Sequence, residues 1–418
     1  MSGNRSTSGP LVTRADVETA RERIDDVVHR TPLDTSRTFA DLSGAASVGL
    51  KLENVQRTGS FKIRGAYNTM AQLSDAEREA GVIASSAGNH AQGVALAGQL
   101  LGIETTIVVP EVTPAAKIEA TRGYGAEVVV EGDIYERSYE YAVERADETG
   151  ETFVHPFDDA AIVAGQGTIG LELLEQYPDL DTVLVAIGGG GLIAGIGTVL
   201  KAHDPDIRVI GVQPEGAAHA KPSLEAGEIR QLEAVDTVAE GIADTRMLET
   251  TFEIAREVVD DVVSVSDREI AAAVALLAER AKTVAESAGA APLAAALSDE
   301  AARDLEGEHV GVVVSGGNVN LTEHAELTRT GLHELERYAD ARLAVEGWPT
   351  TVGEVAETVE SEGAELDVLE RARRTSVDEP NRVPMTIGLE GSGRGHLEGV
   401  LESLDALEGV SVLERSLE

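Results

Sequence analysis

The sequence contains no cysteine, which excludes disulfide bonds and thiolate metal sites. It also lacks any apolar run near the roughly 18 residues that a membrane-spanning helix requires. Residues 1–10 are polar and rich in Ser and Gly, so they predict a disordered tail rather than a secretory signal peptide. Together these features favour a cytoplasmic protein that does not cross a membrane.

Positive charge is scarce. The chain has 34 Lys and Arg residues against 74 Asp and Glu residues, and its net charge is −40. A negative field of this size repels nucleic acids and anionic membranes, so neither is an expected partner. The acidic residues are spread along the whole chain, and aromatic residues make up only 3% of it. This composition is typical of halophilic proteins, in which salt screens the self-repulsion.

The chain is too long, at 418 residues, for one ordinary domain. Between about residues 82 and 314, Val- and Ile-rich runs alternate with helical patterns, which predicts parallel sheets covered by helices on both faces. Thr13 and Asp16 are expected to cap a first helix, and residues 267–288 are predicted to form one long helix. Residues 340–418 predict a separate α+β domain with the element order βαββαβ.

Lysine is rare, because only six of the 34 cationic residues are lysines. Lys62 lies in the segment Ser-Phe-Lys-Ile-Arg-Gly-Ala, residues 60–66, among apolar neighbours and between two glycines. Arginine stays protonated, whereas a desolvated lysine can lose its proton and form a Schiff base. The segment alone fits two interpretations, a reactive amine or a partly buried cation beside the start of a helix.

Four consecutive glycines, residues 188–191, follow a predicted buried strand and open a helix. Backbone N–H groups without Cβ atoms around them can approach an anion closely, which predicts a phosphate site at the carboxyl edge of the sheet. The pattern is not a P-loop, and no acidic residue follows at the spacing of a dinucleotide fingerprint. The alternative is a tight turn packed by glycines.

Two further strand ends carry polar groups. Residues 85–90 combine hydroxyl and amide side chains with a helix start, which suits a carboxylate but also fits a simple helix cap. In this segment His90 is either a base or a packed residue. Ser315 offers one hydroxyl at the third strand end, or forms an ST-turn. A reactive lysine, a phosphate site and a carboxylate site together indicate pyridoxal phosphate and an amino-acid substrate.

Four motifs resemble those of the serine/threonine dehydratases: SFKIRGA at 60–66, SAGNHAQG at 86–93, GGGGL at 188–192 and SGGN at 315–318. The resemblance covers roughly residues 11–336 and implies a catalytic domain of the tryptophan-synthase β-type fold, which is fold type II of pyridoxal-phosphate enzymes. That fold is an α/β core with two parallel-sheet subdomains, the smaller at approximately residues 55–160. The layout is most similar to dehydratases that carry one C-terminal regulatory ACT-like domain, here residues 340–418.

The resemblance also implies roles for individual residues. Lys62 would form a Schiff base with the cofactor and remove the Cα proton of the substrate. The implied cofactor-binding residues are Phe61, Lys62, Asn89, Gly188, Gly189, Gly190, Gly191, Leu192, Gly241 and Ser315. The implied binding residues for the substrate carboxylate are Ser86, Ala87, Gly88, Asn89 and His90.

Two departures from the family pattern bear on the chemistry. Ala87 stands where related serine racemases have a Ser that acts as acid and base, which argues against racemisation. Gln213 stands where several relatives have a Glu that serves a divalent ion, so no metal site is predicted.

The implied reaction is β-elimination of L-threonine to 2-oxobutanoate and ammonia, with L-serine as a further substrate. It would belong to isoleucine biosynthesis or to threonine catabolism. The implied partners are the amino-acid substrate, isoleucine as an effector, and further copies of the chain in a homodimer or homotetramer. A dehydratase for L-serine or threo-3-hydroxyaspartate would carry the same motifs.

Two alternatives belong to other classes of protein, namely a non-catalytic amino-acid sensor and, less favoured, a dinucleotide-dependent oxidoreductase. The first turn of the ACT-like domain reads Glu-Gly-Trp-Pro-Thr at residues 346–350, where the family usually has Asp-x-Pro-Gly. A dimerisation module that binds no ligand is therefore the alternative to an effector site.

Overall fold

The structure is a computed structural model that describes residues 11–298, 304–372 and 381–417. The tail predicted at residues 1–10 lies outside the described residues. The chain divides into two compact units, Met1–Asn320 and Leu321–Glu418. Within the described ranges, no helix is both long enough and apolar enough to cross a membrane.

The first unit is built on two sheets of mainly parallel strands. The strands are β1 (Leu33–Thr35), β2 (Ser47–Leu52), β3 (Val82–Ser85), β4 (Thr105–Val109), β5 (Glu127–Val130), β6 (Thr152–Phe153), β7 (Thr182–Ala186), β8 (Arg208–Pro214), β9 (Asp261–Val265) and β10 (His309–Val314). The larger sheet has the order β1-β2-β10-β7-β8-β9, and its edge strand β1 runs antiparallel to β2. The smaller sheet, β5-β4-β3-β6, is parallel throughout.

Helices connect these strands. They are α1 (Arg14–Ile24), α2 (Arg37–Ser43), α3 (Lys62–Met70), α4 (Asp75–Ala80), α5 (Asn89–Leu101), α6 (Ala115–Gly123), α7 (Tyr135–Thr149), α8 (Ala160–Gln176), α9 (Gly191–His203), α10 (Ala220–Ala226), α11 (Glu249–Val258), α12 (Asp267–Arg280) and α13 (Ser287–Leu297). Every residue of β7 is buried, as is β10 beyond its first residue, which is typical of parallel strands covered on both faces. The predicted α/β architecture is confirmed, and Thr13 forms a capping box with Asp16 at the start of α1.

The prediction of one long helix over residues 267–288 is wrong. The structure has two helices there, because α12 ends at Arg280 and α13 begins at Ser287. Between them Lys282 has a left-handed φ of 54°, and the N–H of Glu286 donates to the carbonyl of Gly316 at 3.0 Å. The apolar pattern runs on through both helices and hides the break. The break brings Glu286 to the carboxyl end of β10.

Four charged side chains are buried together beside α3. Arg64 donates through Nε and Nη2 to the two carboxylate oxygens of Glu53, each at 2.8 Å, and through Nη1 to Glu172 at 2.7 Å. Lys51 donates to the other oxygen of Glu172 at 2.5 Å. Two positive and two negative charges therefore neutralise one another, and they fix α3 two residues after Lys62.

The second unit has the predicted βαββαβ order, preceded by a helix that the sequence analysis did not predict. Its elements are α14 (Leu321–Glu334), β11 (Tyr338–Glu346), α15 (Thr350–Ser361), β12 (Glu365–Arg371), β13 (Arg382–Glu390), α16 (Arg394–Asp405) and β14 (Val410–Arg415). The strands form one antiparallel sheet in the order β12-β13-β11-β14. The units divide after Asn320, earlier than the boundary expected after residue 336, so α14 belongs with the second unit.

Candidate active site

Two of the predicted motifs meet directly at the carboxyl edge of the larger sheet. The segment before α3 pairs with the segment after β10 through a bridge between Ser60 and Gly316. The N–H of Phe61 donates to the carbonyl of Ser315 at 3.2 Å, and the N–H of Gly317 donates to the carbonyl of Gly59 at 2.9 Å. The backbone thus holds the start of α3, which carries Lys62, against the end of β10.

Lys62 is the first residue of α3, and its amine lies in a confined site. Nζ donates to the carbonyl of Pro156 at 3.0 Å and lies 5.2 Å from the centre of the Phe61 ring. Burial lowers the pKa of Lys62 below its ordinary value, and the negative charges of Asp244 and Glu286 oppose that shift only in part. A neutral, nucleophilic amine is therefore easier to reach here than at an exposed lysine.

A row of polar side chains links the start of α5 to the Ser-Gly-Gly-Asn segment. Asn89 donates from Nδ2 to Glu286 at 2.8 Å and accepts on Oδ1 from Asn318 at 2.7 Å. The other contact of the Asn318 amide is the carbonyl of Thr58, at 2.6 Å. These bonds bring the predicted Asn89 to the same edge of the sheet as the Lys62 segment.

Glu286 belongs to this site, although the sequence analysis did not identify it. Burial raises its pKa to about 7, against the opposing effects of the Asn89 hydrogen bond and the positive charge of Lys62. A Cβ atom on Gly316 would lie 2.3 Å from Oε1 of Glu286, so only glycine allows the two to approach this closely. No local pattern marks Glu286, because it lies inside what reads as continuous helix.

The tetraglycine turn joins β7 to α9. Gly190 has a left-handed φ of 90°, and α9 begins at Gly191, followed by the buried side chain of Leu192. A Cβ atom on Gly189 would lie 2.3 Å from the ring of Phe157, the residue after the Pro156 carbonyl that Lys62 contacts. The segment at residues 155–158 therefore connects the turn to the lysine.

Asp244 is a second carboxylate that the sequence analysis did not identify. A Cβ atom on Gly188 would lie 2.5 Å from its Oδ2 atom. Burial raises the pKa of Asp244, and the positive charge of Lys62 and the backbone N–H of Gly189 act in the opposite direction. The carboxylate thus lies on the backbone that was predicted to bind phosphate.

The Ser86–His90 motif forms the turn between β3 and α5. The N–H of Gly88 donates to Oγ of Ser86 at 3.2 Å, and Ala87 is partly buried among apolar neighbours of α5. His90 is a packed residue, because its buried Nε2 lies 2.9 Å from the carbonyl of Val154. Burial, followed by the charge of Lys62, lowers the pKa of His90 to about 3, so it stays neutral and is no general base.

Gly241 lies in a short 3₁₀ turn at residues 240–242, where a Cβ atom would lie 3.0 Å from Ala288 Cβ and 3.6 Å from Glu286 Oε1. This places the predicted Gly241 beside the same carboxylate as Asn89 and Gly316. At least one residue of each motif is therefore linked to Lys62, to Glu286 or to the loop that carries Pro156.

Comparison with known proteins decides the family. A profile described as "Pyridoxal-phosphate dependent enzyme" matches residues 24–316. The chain belongs to this family. The matched range contains the first three motifs of the candidate site and the first two residues of the fourth, and the fold type II core agrees with the two parallel sheets of the first unit.

Named relatives cover most of the chain. An L-threonine ammonia-lyase of Thermotoga maritima is 44% identical over 356 residues, covering 85% of this chain and 88% of the relative. One of Geobacter sulfurreducens is 41% identical over 391 residues, covering 94% of this chain and 96% of the relative. Among solved structures, maize serine racemase has a TM-score of 0.73 and 37% identity, covering 77% of this chain and 98% of that one.

The residues present fit the cofactor of the family. Lys62 offers an amine of lowered pKa, Gly190 and Gly191 present backbone at the start of a 13-residue helix, and Ser315 lies at the neighbouring strand end. When bound, pyridoxal phosphate supplies an aldehyde for the amine and a ring that withdraws electrons from Cα. The chain itself orients these groups and limits the access of water to the amine.

The side chain of Gln213 makes hydrogen bonds to the backbone, unlike the side chain of a metal ligand. Its side chain donates to the carbonyl of Ile187 at 3.2 Å and accepts from the N–H of Ala220 at 2.7 Å, while Glu215 is exposed. Across the described ranges, no group of three or more His, Asp or Glu side chains is arranged to hold a metal ion.

Proposed function

We propose that this chain is an L-threonine ammonia-lyase, which converts L-threonine to 2-oxobutanoate and ammonia. The observation that carries the proposal is the lowered pKa of Lys62 at a site shared by Asn89, Ser315 and the tetraglycine turn. Two relatives of that name, 44% and 41% identical over most of the chain, support it.

The roles of the site residues form part of the proposal. Lys62 binds the cofactor and then removes the Cα proton; Phe61, Asn89, Gly241 and Ser315 contact the cofactor ring. The phosphate lies on residues 188–192, and the substrate carboxylate lies on the turn at residues 86–90. A neutral Ser315 does not favour a protonated ring nitrogen, so it suits an elimination in which proton loss and hydroxyl departure are coupled.

Ala87 supports elimination over racemisation. Racemisation needs a second acid and base on the face of the substrate opposite the lysine, and an alanine has no proton to exchange. Maize serine racemase has a similar fold, so the difference between the two reactions must come from side chains such as this one.

The test is the release of 2-oxo acid from L-threonine by the cofactor-loaded protein in molar KCl, with Lys62→Ala as the inactive control. Steady release of 2-oxobutanoate and ammonia in equal amounts supports the proposal. If L-threonine is unchanged while L-serine or threo-3-hydroxyaspartate is consumed, the substrate assignment is wrong although the elimination chemistry stands.

L-Serine is the second substrate that we propose, since serine racemase is among the similar structures and the chemistry needs only a β-hydroxyl. Measuring kcat/KM for both substrates under the same conditions ranks them. If kcat/KM is higher for L-serine than for L-threonine, L-serine is the preferred substrate.

For the whole chain we propose a domain arrangement of residues 11–336 for catalysis, with a smaller subdomain at about 55–160, and 340–418 as an ACT-like regulatory domain. Isoleucine would be its effector, in a cytoplasmic, halophilic homodimer or homotetramer that serves isoleucine biosynthesis or threonine catabolism. Calorimetry with isoleucine on the full chain tests the regulatory role. No heat of binding would favour a dimerisation module instead.

A non-catalytic amino-acid sensor is the rival of another class. A sensor would bind L-threonine or isoleucine without releasing 2-oxo acid. Binding without turnover in the cofactor-loaded protein would therefore replace the proposed activity with this one.

A further inference from the structure

Asp244 brings a carboxylate to the backbone of the tetraglycine turn. Its Oδ2 atom lies so near Gly188 that a Cβ there would be only 2.5 Å away. The backbone N–H of Gly189 favours the ionised form of the same carboxyl. The turn therefore holds a carboxyl side chain at the place where we propose that the phosphate of the cofactor binds.

The groups around Asp244 supply little positive charge to balance a negative charge on its carboxylate. Lys62, on α3, is the cation whose positive charge lowers the pKa of Asp244. From α7, Tyr135 is neutral, because burial and then Asp244 raise its pKa. His219, before α10, is buried beside Gly188, and burial lowers its pKa to about 4. Asp158 accepts from the N–H of Thr251 at 2.8 Å, and a Cβ atom on Gly190 would lie 3.3 Å from Thr251 Cβ, so a second carboxylate lies near the turn.

A phosphate bound here adds further negative charge to a site with two carboxylates and one lysine. Acidic groups that share a site do not all ionise, so one proton is retained at a pH where each group alone would lose it. The second ionisation of a phosphate monoester has a pKa of about 6, whereas a carboxyl group has a pKa of about 4. The phosphate is the stronger base, so the retained proton lies mainly on it.

We propose that Asp244 keeps one proton on the cofactor's phosphate at neutral pH. The inference deepens the proposed function and rests on it only for the position of the phosphate on the tetraglycine turn.

The test uses the resting, cofactor-loaded protein without substrate, so it does not depend on which amino acid is consumed. The ³¹P chemical shift of the bound phosphate is followed between about pH 5 and about pH 9 in the natural protein and in Asp244→Asn. Glu253→Gln is the matched control, because Glu253 is exposed on α11 and pairs with Arg256. The visible absorbance of the lysine-bound cofactor confirms that each protein is folded and loaded.

We expect the phosphate of the natural protein and of Glu253→Gln to titrate with a midpoint clearly above about 6, and that of Asp244→Asn to titrate at least about one pH unit lower. The inference is overturned if the natural protein and Asp244→Asn give the same curve. It is also overturned if the phosphate of the natural protein stays dianionic over the whole range.

Cofactor affinity gives a second measurement that does not require activity. Above the midpoint the phosphate is fully ionised, and Asp244 repels it. At about pH 9, Asp244→Asn should therefore bind pyridoxal phosphate roughly tenfold more tightly than the natural protein, and pyridoxal, which lacks the phosphate, with unchanged affinity. An equal gain for both ligands would show that the substitution acts on packing and not on the phosphate, which contradicts the inference.

Discussion

Helix α3 contributes to two groups of charged side chains, one buried and one partly buried, that differ in how far they are neutralised. Arg64 lies in a group in which two cations and two carboxylates bond to each other directly. Lys62, two residues earlier, has two carboxylates within range of its charge but donates to a backbone carbonyl.

The pKa values show the consequence of this difference. In the paired group, Arg64 lowers the pKa of Glu53 in spite of burial, and the pKa of Arg64 is raised by its two carboxylates, although burial lowers the pKa of Lys51. In the other group burial dominates: it lowers the pKa of Lys62 and raises the pKa of Glu286 and of Asp244. The Arg64–Glu53 pair stays charged and holds the helix in place, whereas Glu286 in the second group can exchange a proton near neutral pH.

The largest expected effect comes from removing the reactive amine. Lys62→Ala should lose turnover of L-threonine by at least about a thousandfold and lose the covalent attachment of the cofactor, because no other amine lies at this position. Mass spectrometry after borohydride reduction checks the attachment. Lys221→Ala, which removes a partly exposed lysine paired with Asp261, is the control and should retain both properties.

The next largest effect concerns the neutralised group. Arg64→Met leaves the buried Glu53 uncompensated, so the free energy of unfolding should fall by about 3–5 kcal/mol. Urea unfolding in molar KCl measures it. Arg122→Met breaks an exposed pair with Glu119 and should change the free energy within the error of the measurement. If the two variants are equally stable, the buried group does not hold α3.

A smaller effect concerns the pH dependence of stability, which we expect from Glu286 in the second group and not from the Arg64–Glu53 pair. The pKa of Glu286 is about 7 in the folded protein against an ordinary value of 4.5, so the proton is held more tightly in the folded state. Its stabilising contribution is complete below pH 4.5 and is lost as the pH rises through about 7. Glu286→Gln cannot lose that contribution, so its stability relative to the natural protein should rise by on the order of 1 kcal/mol between about pH 5 and about pH 8. If the difference in the free energy of unfolding between Glu286→Gln and the natural protein is the same at both pH values, the pKa of Glu286 is not raised.

The smallest effect concerns the salt dependence of stability, which differs between charges on the surface and charges that are buried. Raising KCl should stabilise the natural protein, because ions screen the repulsion within a chain of net charge −40. The destabilisation caused by Arg64→Met should change little with salt, since that group is buried. A cost that disappears in molar KCl would show that the group is accessible to ions.

The sequence predicted those parts of the site that local chemistry marks. Lys62, the four glycines and the turn at Asn89 stand out because a reactive amine or a close backbone approach restricts the residue type within a few positions. The parallel sheets and the βαββαβ unit followed from periodicity and were confirmed.

Glu286 and Asp244 could not be predicted, because they reach the site only through tertiary contacts. Glu286 lies where the chain leaves a helical pattern to donate to Gly316, 30 residues away in sequence, and periodicity does not register that break. Asp244 is one of 74 acidic residues, and only its contact with Gly188 distinguishes it from the others.

Incomplete neutralisation of its surroundings makes Lys62 a reactive amine. The most direct measurement is the pH dependence of the attachment of pyridoxal phosphate to Lys62 in cofactor-free protein, trapped by borohydride and located by mass spectrometry. We expect Lys62 to be the modified residue and its amine to titrate clearly below the ordinary lysine pKa of 10.5. Titration at the ordinary value, or attachment at another lysine, would contradict it.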